Sequence, residues 1–159
     1  MPSGPLIDLS KIDLARVVAG RQEIDGVLKQ RGRFAMIDGV NHMDLQNGFA
    51  VGFKEIRSSD WWASDHIPGR PLFPGALMIE AAAQLCTFHF LKLHPELENV
   101  FIGFGGLDEV RFRSAVEPDC RLTLVGKVVR ERAKMFIYEA QGFVGSQLAF
   151  ECAIRGLVV

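Results

Sequence analysis

Two side chains in this sequence are suited to moving protons, and they stand close together in the chain: His66 and Glu80. An imidazole is available as a base near neutral pH. A carboxyl group drawn out of water favours its protonated form and can serve as an acid. Between them runs Ile67-Pro68-Gly69-Arg70-Pro71-Leu72-Phe73-Pro74-Gly75. Pro68, Pro71 and Pro74 each fix a φ angle, and Gly69 and Gly75 permit turns and close approaches that other residues resist. A stiff loop therefore carries the histidine up to the start of the next element.

That element reads as a helix over 76–93. The stretch lacks Pro and Gly and is rich in Ala, Leu and Met. Its apolar residues run nearly all the way round, the pattern of a helix wrapped by the rest of its fold. Glu80 and Gln84 interrupt the run, which is shorter than the roughly 20 residues that cross a bilayer. Glu80 thus falls in a buried helix, with Gln84 one turn on and able to hydrogen-bond it. The unpaired N–H groups of the first turn could hold an oxyanion. A purely structural pairing of Glu80 with Gln84, and a His66 that only decorates a loop, are the plainer readings of the same residues.

The stretch from His66 to Gln84 resembles the active-site segment of the FabZ-type β-hydroxyacyl-acyl carrier protein dehydratases, whose pattern is H-F-P-G-x-P-x-x-P-G-x-L-x-x-E-A-x-A-Q. Ile67 replaces the usual Phe. The related FabA type, which also isomerises the double bond, carries Asp where this chain has Glu80. Two further segments are similar to that family. Arg31, Phe34 and Asp38 match H-R-x-P-F-x-x-x-D, with Gln30 in place of the His and Arg33 in place of the Pro; the missing His is not expected to matter. The run from Phe104 to Phe112 resembles F-A-G-I-D-x-A-R-F.

The resemblance implies loss of water from a 3-hydroxyacyl thioester to give the trans-2-enoyl thioester. It implies His66 as the base at C2 and Glu80 on the hydroxyl side, as acid or through a water. Alternatively, His66 shuttles both protons and Glu80 orients water. The Gly75 N–H is the implied donor to the thioester oxygen. Trp62, Phe73, Gln84 and Phe104 are candidate substrate-binding residues, with Trp61 and Trp62 either walling an acyl pocket or packing in the core. The substrate would ride on the phosphopantetheine of an acyl carrier protein, with no cofactor and no metal. Arg111, Arg113, Lys127, Arg130, Arg132 and Lys134 offer basic surface for that carrier. In the family the site is shared across a homodimer, with a trimer of dimers as a further step. The pathway implied is fatty acid biosynthesis, or the same dehydration in a dedicated polyketide, lipid or pigment pathway. Two alternatives keep the same fold: an acyl-thioesterase, and a non-catalytic acyl-binding partner subunit.

Composition sets the remaining bounds. At 159 residues the chain can bury a full core. A net charge of −1 does not suggest a nucleic-acid binder. Cys86, Cys120 and Cys152 have neither metal-ligand spacing nor a disulfide pattern. His89 and His94 read as residues of the last helical turn. No signal-peptide pattern is seen, so a cytoplasmic location is expected.

Along the chain, residues 1–20 read as a loose N-terminal extension holding a short amphipathic turn, and 21–159 as the dehydratase-like domain. A short helix is predicted over 22–30, a strand from 31, another over 48–56, and a loop over 58–65. Strands come next over 101–104 and 109–116, then 121–132, 134–144 and 147–157, alternating apolar and polar. This is an α+β class, implied by the resemblance to be the hotdog fold: an antiparallel sheet wrapped around one long central helix.

Overall fold

A computed structural model describes residues 4–159. Three helices, α1 (Arg21–Asp25), α2 (Trp61–Asp65) and α3 (Gly75–Leu93), accompany six strands: β1 (Gly39–Asp44), β2 (Phe49–Ile56), β3 (Ile102–Phe112), β4 (Cys120–Arg132), β5 (Met135–Val144) and β6 (Gln147–Val158). All pairings are antiparallel, and the sheet order is β1-β2-β4-β5-β6-β3. Helix α3 packs on β2, β4, β5 and β6. This is the expected hotdog arrangement.

Alternation along the strands splits the apolar residues between two faces. Ala50, Leu124, Tyr138 and Cys152 belong to the main core around α3, where Leu85, Cys86, Phe88 and Phe90 are fully buried. Close approach of the helix to the sheet rests on Gly126. A Cβ there would stand 2.8 Å from the Cys86 sulfur. By length and composition α3 could cross a membrane, but 67% of it is buried within this fold.

The opposite face carries Val51, Val125 and Phe143, and it is covered by the N-terminal segment through Leu6, Ile7, Leu9, Ile12 and Leu14. Residues 4–20 are therefore not a loose tail; Pro2 lies outside the described residues. Two buried amides fasten this strap. Gln141 accepts from the Leu6 N–H at 2.8 Å and donates to the Gly4 carbonyl at 3.2 Å. Asn41 donates to the carbonyls of Leu14 and Arg16, at 3.1 and 2.9 Å. Val40 then bridges to Ala19 and ends the strap at the sheet edge.

Several boundaries differ from the sequence-based expectation. Helix α1 stops at Asp25, because Gly26 caps it. Residues 32–34 form a 3-10 turn and the first strand begins only at Gly39; Gly32 adopts φ +60°, which breaks the extended run. The tryptophan loop contains α2. The two segments expected before and after residue 105 are one strand, β3, whose register shifts between Phe104 and Gly106 and again between Asp108 and Arg111.

Candidate active site

His66 follows α2 and opens the proline loop. Its ring is exposed, and Nδ1 lies 2.9 Å from the Leu72 carbonyl. A carbonyl only accepts, so Nδ1 carries the hydrogen and, in the neutral ring, Nε2 keeps a free lone pair. The loop thus fixes the tautomer as well as the position. Phe73 is held by its own N–H to the Val116 carbonyl at 2.8 Å. Trp62 and Phe73 pack edge to face at 5.1 Å and both are buried. They support the loop from beneath and do not line the cavity around Glu80. Trp61 is exposed.

Gly75 begins α3 behind Pro74, so its N–H belongs to the first turn, where no intrahelical acceptor exists. A Cβ at this position would stand 2.7 Å from the Phe112 ring. The glycine lets the Phe112 ring of β3 lie against the helix start.

Glu80 lies on α3 and is half-buried, not enclosed as a helix apolar all round suggests. It opens into a cavity of ≈ 140 Å³. Ala83, Gln84 and Thr87 continue its helix face along that cavity, and Phe101, Gly103 and Phe104 face them from the start of β3, with Arg155 and Gly156 from β6. Gln84 is buried. Its Nε2 donates to Glu80 Oε1 at 2.8 Å and to the Phe34 carbonyl at 2.7 Å, while its Oε1 accepts from the Met36 N–H at 2.9 Å. His66 of the same chain is not part of the cavity wall.

Gln30 also lines this cavity, although the sequence gives no reason to expect a consequence from its departure from the family's His. It lies in the irregular stretch between α1 and the turn at Gly32, and no periodic pattern at 30–36 announces its place. Arg155 carries no signal in the sequence either. It pairs with Asp108 across β6 and β3 through Nε and Nη2, both at 2.8 Å, at the cavity mouth.

His89 and His94 are engaged away from this cavity. His89 is fully buried, with Nδ1 2.6 Å from the Tyr138 hydroxyl and Nε2 3.0 Å from the Asp44 carbonyl. The carbonyl takes the Nε2 hydrogen, so Nδ1 accepts from the tyrosine. His94 caps α3, bonding Glu96 at 3.1 Å and Glu131 by a very short contact. Among the described residues no group of three His, Cys, Asp or Glu could hold a metal ion.

A model of the FabA-like domain family matches residues 28–153. The 3-hydroxyacyl-acyl-carrier-protein dehydratase FabZ of Moorella thermoacetica is 36% identical over 128 residues, covering 80% of this chain and 88% of that protein. FabZ of Campylobacter jejuni strain 81-176 is 29% identical over 140 residues, covering 86% and 95%. Among solved structures, the dehydratase heterocomplex ApeI:P of Xenorhabdus doucetiae superposes with a TM-score of 0.73 at 13% identity, over 86% of this chain and 90% of that one. A mutant thioesterase PA1618 of Pseudomonas aeruginosa gives 0.67 at 12% identity, over 91% and 96%. At such identities these two speak for the fold alone. On the family match and the identity to FabZ, the chain belongs to the FabA-like family, as a FabZ-type dehydratase of the hotdog superfamily.

Proposed function

We propose that this protein dehydrates 3-hydroxyacyl thioesters carried by acyl carrier protein to trans-2-enoyl thioesters, in fatty acid biosynthesis. The observation that carries the reading is a histidine with its tautomer set by Leu72 and a carboxyl group opening into a cavity, on a chain with FabZ relatives along most of its length. His66 Nε2 takes the proton from C2. The pair of electrons left behind forms the C2=C3 bond, and the C3–O bond breaks toward oxygen. Glu80 supplies the proton with which that oxygen leaves as water. The Gly75 N–H, aided by the positive end of α3, stabilises the charge that gathers on the thioester oxygen.

The site is read as shared between two copies of the chain, His66 from one protomer meeting Glu80 of the other. Absence of His66 from the Glu80 cavity within one chain supports this. So does the character of β3. It is an edge strand whose neighbourhood exposes Phe101, Phe104, Leu107 and Phe112. Long exposed apolar edges seldom stay unpaired. Residues 21–159 form the catalytic unit and 1–20 an extension to it, in a cytoplasmic enzyme that needs no cofactor beyond the carrier's phosphopantetheine.

The acyl chain runs along α3 from Glu80 past Thr87 toward Leu91. A second cavity there shares Gln30, Thr87, Phe101 and Ile102 with the first. Thr87 and Leu91, rather than the buried Trp62, Phe73 and Phe88, then set its depth.

The test is turnover of a carrier-bound 3-hydroxyacyl thioester by the wild type and by Glu80→Gln. Conjugated enoyl product from the wild type, reduced by about 10²–10⁴-fold in the variant, supports the reading. Release of free thiol would make the protein a thioesterase, and no turnover at several chain lengths would favour an acyl-binding subunit.

A further inference from the structure

The Gln84 amide cannot be reversed. Its two N–H donors are both spent, on Glu80 Oε1 and on the Phe34 carbonyl, and its carbonyl faces the Met36 N–H. Turned over, it would set oxygen against the Phe34 oxygen and N–H against N–H, two unpaired contacts in a buried place. Two backbone groups beyond the Gly32 turn therefore decide which end of Gln84 faces Glu80. An amide nitrogen only donates, so Glu80 Oε1 is held as the acceptor. A carboxyl's hydroxyl oxygen accepts poorly, which leaves Oε2 as the atom that carries a proton.

On these grounds we infer that Gln84 is a positioning residue that places the reactive proton of Glu80 on Oε2. The inference rests on the dehydratase reading. In each turnover that proton passes from Oε2 to the leaving C3 oxygen, while the C2 proton goes to His66 Nε2. The proton then returns from His66 to Oε2 before the next cycle, so no other reactant is required. Gln84 itself does not carry the moving proton; it acts on it through Glu80 Oε1. The segment 30–36 contributes twice, walling the cavity with Gln30 and orienting Glu80 through Phe34, Met36 and Gln84.

The charged groups facing the pair are few. Arg155 of β6 lines the same cavity and is paired to Asp108 of β3. Arg33, beside Phe34, is exposed. In the proposed dimer His66 of the second protomer completes the set.

Gln84→Glu and Gln84→Met separate positioning from packing. In Gln84→Glu the new carboxyl group can accept from Met36 at any pH but can donate to Glu80 only when protonated. Its kcat should fall by about 10-fold or more at pH 8 and recover toward pH 6, with KM little changed. The thioether of Gln84→Met has no donor, so that variant should stay low across the same range. A wild-type pH profile in Gln84→Glu, with wild-type kcat, would overturn the inference while leaving the dehydratase reading intact. A readout free of turnover uses the side-chain amide resonances of Gln84. In Glu80→Ala the N–H that faces Glu80 should shift upfield and the N–H that faces Phe34 should stay. Both N–H resonances unchanged would overturn the assignment even for an inactive enzyme.

Discussion

In the proposed mechanism His66 and Glu80 divide the chemistry, each fixed at one atom by a neighbour that cannot do otherwise. The Leu72 carbonyl can only accept, and the Gln84 nitrogen can only donate. His66→Ala should therefore remove about 10²–10⁴-fold of turnover while leaving thermal stability nearly unchanged, since the ring is exposed. The buried histidine behaves differently. Burial holds the His89 imidazole below its ordinary value of 6.5, outweighing the pull of the Asp44 carbonyl and of Asp44 and Glu131. The unfolded chain takes up a proton near 6.5 that the folded chain refuses, so stability falls as pH drops through that value. His94 has the opposite sign. Burial lowers it, but hydrogen bonds to Glu131 and Glu96 prevail and leave it raised above 6.5. Its contribution is complete below 6.5 and is lost as pH rises through the folded value. Urea midpoints across pH should show both limbs, and His94→Gln should abolish the decline above 6.5 while leaving the acid limb in place.

At the scale of elements, the strap and the central helix carry the stability arguments. Removing residues 1–16 would bare Val51, Val125 and Phe143 and orphan the buried amide of Gln141. A loss on the order of 3 kcal/mol is expected, read as a lower urea midpoint. Gly126→Ala would drive a Cβ into the Cys86 sulfur, in the middle of α3 and β4, and should cost about 1–3 kcal/mol. The helix and the three closing strands are legible in the sequence because their periods are long and unbroken. Glu80 and Gln84 are legible because polar residues stand out in a helix apolar all round. The strap is not, because its anchors, Asn41 and Gln141, lie far along the chain and nothing in Leu6 or Leu14 names them. The role of His89 is hidden for the same reason: its partner Tyr138 comes from a strand that only the fold brings near. Gln30 reaches the cavity from an irregular stretch between α1 and β1, which alternation cannot foretell.

At the scale of the whole molecule, β3 is an edge strand that exposes apolar side chains. Phe104 is half exposed on β3 and also walls the Glu80 cavity, so pairing of two such edges would bury it and complete the site in one step. Phe104→Glu should shift light scattering toward the monomer and abolish turnover together. The most direct test of the account mixes two inactive variants, His66→Ala and Glu80→Gln, under conditions that let protomers exchange. Each mixed dimer would hold one site with both residues intact, so dehydration of a 3-hydroxyacyl thioester should return in the mixture although neither variant alone supports it. A mixture as inactive as its components, with exchange demonstrated, would contradict a dehydration site built from His66 of one copy and Glu80 of the other.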